Sequence, residues 1–243
     1  LGHQTSYTYD SRGNVLTVTD HDSNTTVMAY DPTWNKATSI TDPRGKTTTF
    51  IYNPDTGNLL ASEDPLHNRT NFEYDARGQV TRITDPLGHY REFTYNAMGL
   101  LATASEKPDP LEPATTTSFS YDTHGWMTSR TNANGRTTSW TYDVMGRMLT
   151  RAEPGGGTTE YHYKPETGDL ERIVDPSGSE LLLEHDVVHR LTRITFPDAT
   201  YEEYQYDLAS NLVVKRKRDG TFIGYTYNYR DQLAGLSYPG GGH

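Results

Sequence analysis

The chain has 243 residues and a formal charge of -10, with 32 Asp and Glu against 22 Lys and Arg, a balance that argues against sequence-independent binding to nucleic acid phosphates or anionic lipid. Only 33% of the residues are hydrophobic, yet aromatics reach 11%, with 18 Tyr to 6 Phe; disordered chains are poor in aromatic and β-branched residues, so disorder is excluded too. There is no Cys, which rules out disulfides and thiolate metal sites, and no apolar run approaches the roughly 18 residues of a membrane helix.

Leu1-Gly2-His3-Gln4 does not open a signal peptide, so any export signal is expected elsewhere. From there one unit repeats. A Tyr followed by Asp or Asn occurs at Tyr9-Asp10, Tyr30-Asp31, Tyr52-Asn53, Tyr74-Asp75, Tyr95-Asn96, Tyr121-Asp122, Tyr142-Asp143, Tyr206-Asp207 and Tyr227-Asn228. Two degenerate copies, Tyr163-Lys164 and His185-Asp186, fill the remaining interval. Successive Tyr slots lie 21, 22, 22, 21, 26, 21, 21, 22, 21 and 21 residues apart, so eleven copies make a single array over residues 1–243.

A second anchor sits half a period later, as in Asp42-Pro43-Arg44-Gly45, Asp85-Pro86-Leu87-Gly88 and Asp175-Pro176-Ser177-Gly178. Looser forms are Asn132-Ala133-Asn134-Gly135 and Glu153-Pro154-Gly155-Gly156. Asp bonds the backbone at the first turn position, Pro presets φ at the second and Gly serves the last. Asp75-Ala76-Arg77-Gly78 and Asp143-Val144-Met145-Gly146 repeat this without Pro, with Gly78 and Gly146 expected at positive φ.

Two turns per period imply two strands per period. A large residue two positions before the Tyr slot (Tyr7, Phe50, Phe72, Phe93, Phe119, Trp140, Tyr161, Leu183, Tyr204, Tyr225) shares its face of the strand, and the tyrosines and these partners are expected to stack as parallel rows across neighbouring repeats. After the Gly, apolar residues fall three apart, as in Val80 and Ile83 or Leu191 and Ile194; a bulge beside the loop Gly would reset the alternation. The expected fold is all-β: tandem β-hairpin repeats forming a curled antiparallel ribbon of about 22 strands, part of a hollow β-shell or solenoid, because open sheets rarely exceed about ten strands without curling. Lys107-Pro108-Asp109-Pro110-Leu111-Glu112-Pro113 fills the long interval and predicts a loop insertion near 106–114.

On these residues, Tyr-Asp-x-x-Gly-x-Leu followed by Asp-Pro-x-Gly, the chain resembles the YD-repeat or Rhs-repeat family over essentially its whole length. The resemblance implies a spiralling β-ribbon around a cavity, as in bacterial Rhs toxins, the C components of insecticidal toxin complexes, wall-associated proteins and teneurins. In the toxin branch the shell encloses a C-terminal toxic domain; in the teneurin branch it serves adhesion. No self-cleaving aspartate segment, plug or effector domain is found here, so autoproteolysis and toxicity are not carried over.

Other motifs read as structural. The many Asp occupy first turn positions, which competes with a glycosidase or calcium reading. His185-Asp186-Val187-Val188-His189 would pair two metal ligands only on a helix, whereas here it spans a strand end and its turn. Lys215-Arg216-Lys217-Arg218 splits between two faces and reads as a solvated edge or a contact for an acidic partner; Gly155-Gly156-Gly157 reads as a slack turn. No catalytic, cofactor or metal residue is assigned; the residues singled out are the repeat anchors Tyr9, Tyr30, Tyr52, Tyr74, Tyr95, Tyr121, Tyr142, Tyr163, Tyr206, Tyr227, Gly78 and Gly146.

The functional expectation is a non-catalytic shell segment of a secreted or exported bacterial toxin. Its partners would be flanking repeats, an enclosed effector and a plug or secretion-apparatus protein. The alternative is an extracellular adhesion or carbohydrate-binding module. Leu1-Gly2-His3 matches Leu87-Gly88-His89, and Tyr238-Pro239-Gly240-Gly241 matches Glu153-Pro154-Gly155-Gly156, so the chain is expected to be a stretch of a longer protein with open sheet edges.

Overall fold

The computed structural model describes residues 4–109 and 112–238; the matched turns at Leu1-Gly2-His3 and Pro239-Gly240-Gly241, and Pro110-Leu111 of the insertion, lie outside these residues. The fold is all-β, with twenty-two strands from β1 (Ser6–Tyr9) to β22 (Leu233–Ser237) and no helix among the described residues. Two compact units divide the chain, residues 1–119 and 120–243.

In the first unit each strand pairs antiparallel with its chain neighbour. One period is represented by β7 (Arg69–Tyr74), β8 (Val80–Thr84) and β9 (Tyr90–Tyr95). Phe72 opposes Ile83 and Tyr74 opposes Val80, while Glu73 opposes Arg82. Thr81 is therefore the extra residue of a bulge, three positions beyond Gly78. This bulge turns Val80 and Ile83, spaced three apart, onto one face with Phe72 and Tyr74. Every Tyr slot described in a pairing shows the same shift, including Tyr30 opposite Ala37 and Tyr52 opposite Leu59.

The second unit follows the same rule, with shifts at Tyr142, Tyr163, His185, Tyr206 and Tyr227. The opposite face carries threonines whose hydroxyls bond across strands, such as Thr131 to Thr137 at 2.7 Å and Thr141 to Thr150 at 2.7 Å. Thr19–Thr25 and Thr41–Thr47, both 2.9 Å, do the same in the first unit.

A conventional core is missing. Among the described residues the fully buried hydrophobic side chain is Ala61, and no large side chain is completely covered. The chain exposes 15981 Å², against roughly 11,000 Å² for a compact globule of its mass. Most strand residues are half-buried on both faces, as in a single sheet layer with nothing stacked on it. Stability must then come from neighbour-to-neighbour contacts along the array.

The long interval is resolved by the strands. β10 (Leu101–Lys107) and β11 (Thr115–Tyr121) extend the hairpin, pairing as far as Glu106 with Thr115, so the irregular insertion begins after Lys107.

Candidate functional site

The feature that repeats with chemical consistency is the Tyr-Asp turn and its contact with the next repeat. In the four-residue turns that open with Asp, the Asp carbonyl accepts the N–H of the fourth residue, and the Asp Oδ1 accepts N–H groups two and four positions on. For Asp75 these are Gly78 N at 3.0 Å, Arg77 N at 2.9 Å and Gln79 N at 2.9 Å. Gly78 and Gly146 take φ of 79° and 82°, the left-handed region in which a Cβ is strained. Where Gly is replaced, Ser23, His67, His189, Ala199, Ser210 and Asp231 adopt the same conformation. Asp31, Asn53 and Lys164 open turns one residue longer, each closed by a bond from the fifth residue. These extra residues account for the three 22-residue spacings.

The bulge leaves a backbone carbonyl exposed, and the next tyrosine covers it. The β8–β9 ladder stops at Arg82 opposite Glu92, so the Val80 carbonyl has no strand partner beyond that point. The Tyr95 hydroxyl donates to it at 2.8 Å. The same contact, always 15 residues back, joins Tyr30 to Val15, Tyr52 to Ala37, Tyr74 to Leu59, Tyr142 to Met127, Tyr163 to Met148, Tyr206 to Leu191 and Tyr227 to Leu212. Tyr121 ends β11, and Tyr9 is 57% exposed. His185, in the Tyr slot, has no hydroxyl, and its Nδ1 is buried without a hydrogen-bond partner.

This geometry corrects the expectation of stacked tyrosine rows. Tyr74 and Tyr95 share a face but β8 lies between their strands, so the rings are separated by Val80 and its equivalents and do not stack on one another. The strand spacing of about 4.8 Å puts consecutive tyrosines roughly 10 Å apart.

Sequence reasoning missed the residue that follows the turn Gly. Its side chain reaches the next repeat, covering the next tyrosine ring or bonding the next turn. Lys36, Arg147 and Arg190 lie 5.6, 4.6 and 4.8 Å from the ring centres of Tyr52, Tyr163 and Tyr206, and Trp126 packs on Tyr142 at 5.7 Å. Lys36 Nζ and Gln79 Nε2 also donate to the carbonyls of Gly57 and Gly99, at 2.7 and 2.8 Å. Aligning the repeats exposes this column, but its residue types vary too widely to stand out as a motif.

The remaining motifs are absorbed by the fold. The basic run is part packed and part solvated: Lys215 pairs with Glu202 at 3.1 Å and Arg216 lies 3.8 Å over Tyr201, whereas exposed Arg218 pairs at the surface with Asp198 at 2.7 Å. Lys217 opens a turn by donating its N–H to Thr221. Glu153-Pro154-Gly155-Gly156 is no slacker than its neighbours, with Gly156 N bonded to the Glu153 carbonyl at 2.9 Å. His189 occupies the Gly position of its turn and bonds Asp169 at 2.9 Å, away from His185. Near the insertion, a groove of about 370 Å³ is lined by charges already paired with each other, Asp85 with His89 and Arg91 with Glu106. Among the described residues no three His, Asp or Glu side chains gather as a metal would require.

Electrostatics follow from these bonds. The amides of Asn14, Asn24 and Asn68 hold the carboxyls of Asp10, Asp20 and Asp64 below their ordinary value. Burial raises the phenols of Tyr52, Tyr74, Tyr142 and Tyr163. The bonds of the turns thus favour the ionised carboxyls, and the burial of the rings favours the protonated phenols.

Residues 91–243 match the Teneurin YD-shell family and residues 54–90 the RHS repeat. No curated protein matches the sequence. Among solved structures the fold is similar to TcdB2-TccC3 without its hypervariable C-terminal region, with a TM-score of 0.52, and to TcdB2-TccC3-TEV, with 0.51; both are 19% identical. Each likeness covers 97% of this chain but 16% of the other. At that identity the likeness is one of fold, and this chain spans about a sixth of theirs.

Proposed function

Because this chain belongs to the Teneurin YD-shell family, we propose that it is a non-catalytic wall segment of a toxin shell of the Rhs type, curled with flanking repeats around a C-terminal effector polypeptide. The observation that carries the reading is the tyrosine-to-carbonyl bond between consecutive repeats, made by a sheet with no second layer. A domain that fills its interior is held by a core; here each repeat is fastened to the one before it, and both faces stay open. That suits a wall, whose task is to separate volumes without occupying them.

The enclosed effector, a plug or secretion-apparatus component, and an exported, extracellular setting belong to the same proposal, supported by the repeat motif and by the fold likeness to TcdB2-TccC3. The test is limited proteolysis of the polypeptide encoded by the complete reading frame. An enclosed effector would outlast the same effector expressed alone and lose its protection once the shell is opened with denaturant. Equal digestion rates would overturn enclosure. Specific micromolar binding on a glycan array would favour the adhesion or carbohydrate-binding alternative instead.

A further inference from the structure

In the second unit, the hydroxyls of Tyr142, Tyr163 and Tyr206 each donate to the carbonyl 15 residues back. The residue after the preceding turn, Trp126, Arg147 or Arg190, packs on the same ring. At His185 both partners change together. The slot loses its hydroxyl, and the residue after the preceding turn is Asp169, an acid where those repeats carry a cation or an indole. A cation suits the face of a phenol, whereas a carboxylate accepts from an imidazole N–H. The Thr167 hydroxyl, and then His189 and His185, hold the Asp169 carboxyl below its ordinary value, so the acid meets both imidazoles as an anion.

The exchange leaves a different tie between the repeats. β16 (Leu170–Val174) and β17 (Glu180–His185) pair from Val174 opposite Glu180 only as far as Arg172 opposite Leu182. Beyond that point lies Leu170, which opposes Tyr163 at the preceding bulge and whose carbonyl is the acceptor a tyrosine at 185 would cover. The imidazole instead leaves its Nδ1 buried without a partner, a cost that a made bond would remove. What crosses between the turns is a side-chain pair, His189 Nδ1 to Asp169 Oδ1 at 2.9 Å, with the imidazole 58% exposed. The other charges of that turn, Asp186 and Arg190, pair with each other at 2.7 Å, and β18 (Leu191–Thr195) opposes His185 with Leu191. A largely exposed pair is worth less than a bond in a half-buried joint. We propose that the β16–β17 joint is a hinge, the place where the second unit opens first, because a histidine replaces the tyrosine that ties the hairpins on either side. In an array held by neighbour contacts, one weak joint sets where opening begins.

The experiment is native-state hydrogen exchange, read by mass spectrometry on the full 243-residue chain. The comparison is with the hairpins that end at Tyr163 and Tyr206, β14 (Met148–Ala152) with β15 (Thr158–Tyr163), and β18 with β19 (Tyr201–Tyr206). Amides of β16 and β17 should exchange about fivefold faster than in either of these, the factor that the net worth of one hydrogen bond corresponds to. His185→Tyr should slow the β16–β17 amides by a similar factor. His185→Phe, which fills the slot without a hydroxyl, should not, and Asp169→Asn should speed them further. Wild-type rates that climb steadily toward Tyr227 would be fraying from the chain end and would overturn the proposal. So would a β16–β17 hairpin no faster than its neighbours, or equal slowing by the Tyr and Phe variants. Should His185→Tyr fail to fold, the wild-type comparison and Asp169→Asn decide the matter, and unchanged exchange in the latter also overturns it. The order of opening belongs to the array whether or not an effector is enclosed, so failure of enclosure would leave this prediction standing.

Discussion

The Tyr95 hydroxyl donates to the Val80 carbonyl at 2.8 Å, and Val80 is the residue that opposes Tyr74 at the preceding bulge. One tyrosine thus meets the residue that faces its predecessor, and the sheet propagates by this overlap. Tyr95→Phe should cost about 1 kcal/mol, the net worth of a hydrogen bond whose acceptor is left without a donor. Tyr9→Phe, at a ring that is largely exposed, should be nearly neutral. Urea midpoints of the two variants make the comparison; equal losses would mean that the bond contributes nothing.

Gly78 and Gly146 share a backbone conformation but not their surroundings. A Cβ at Gly78 would stand 3.7 Å from Asn58, ordinary contact, whereas at Gly146 it would fall 2.8 Å from the Trp126 ring. Gly78→Ala should therefore cost about 1 kcal/mol from backbone strain alone, and Gly146→Ala measurably more. In a double-mutant cycle, combining Gly146→Ala with Trp126→Ala should recover the excess. No coupling between the two would show that the ring simply moves aside.

Stability should be bounded at both ends of the pH scale. The lowered carboxyls of Asp10, Asp20 and Asp64 favour the folded state while ionised. Their contribution is present above about pH 4 and is lost as pH falls through their depressed folded values. The raised phenols of Tyr52, Tyr74, Tyr142 and Tyr163 work in the other direction. Their contribution is complete below about pH 10 and lost as pH rises through the folded values, when the hydroxyl donor ionises. Melting temperatures between pH 2 and 11 should form a plateau with two falling limbs; a flat acid limb would remove the aspartate turns from the account.

The Lys215-Arg216-Lys217-Arg218 run predicts a packing effect in place of a binding one. Arg216 stacks on Tyr201, which Arg193 covers at 4.0 Å from its other neighbouring strand. Arg216→Ala should destabilise by about 1 kcal/mol through lost cation–π contact, with little change in retention on an anion-exchange column beyond that of a single charge. A disproportionate gain in retention would show that the run is exposed after all.

The strand count, the turns and the pairing of neighbours were legible in the sequence because each is a local matter. Tyr two residues after a large side chain makes a strand face, Asp-Pro-x-Gly closes a turn within four residues, and a repeat of 21 or 22 residues places the next hairpin beside the last. Even the bulge could be inferred, since Val80 and Ile83 are three apart. The coupling between repeats was not legible, because it depends on where a side chain lands 15 to 20 residues away. The pattern predicts a tyrosine on every second strand, but only the bulge position leaves the Val80 carbonyl for the phenol of Tyr95. The column after the Gly looked like noise in one dimension: Lys36, Gln79, Trp126 and Arg147 share no chemistry except length. In three dimensions length is what matters, because each must cross two strands to reach the next turn or ring.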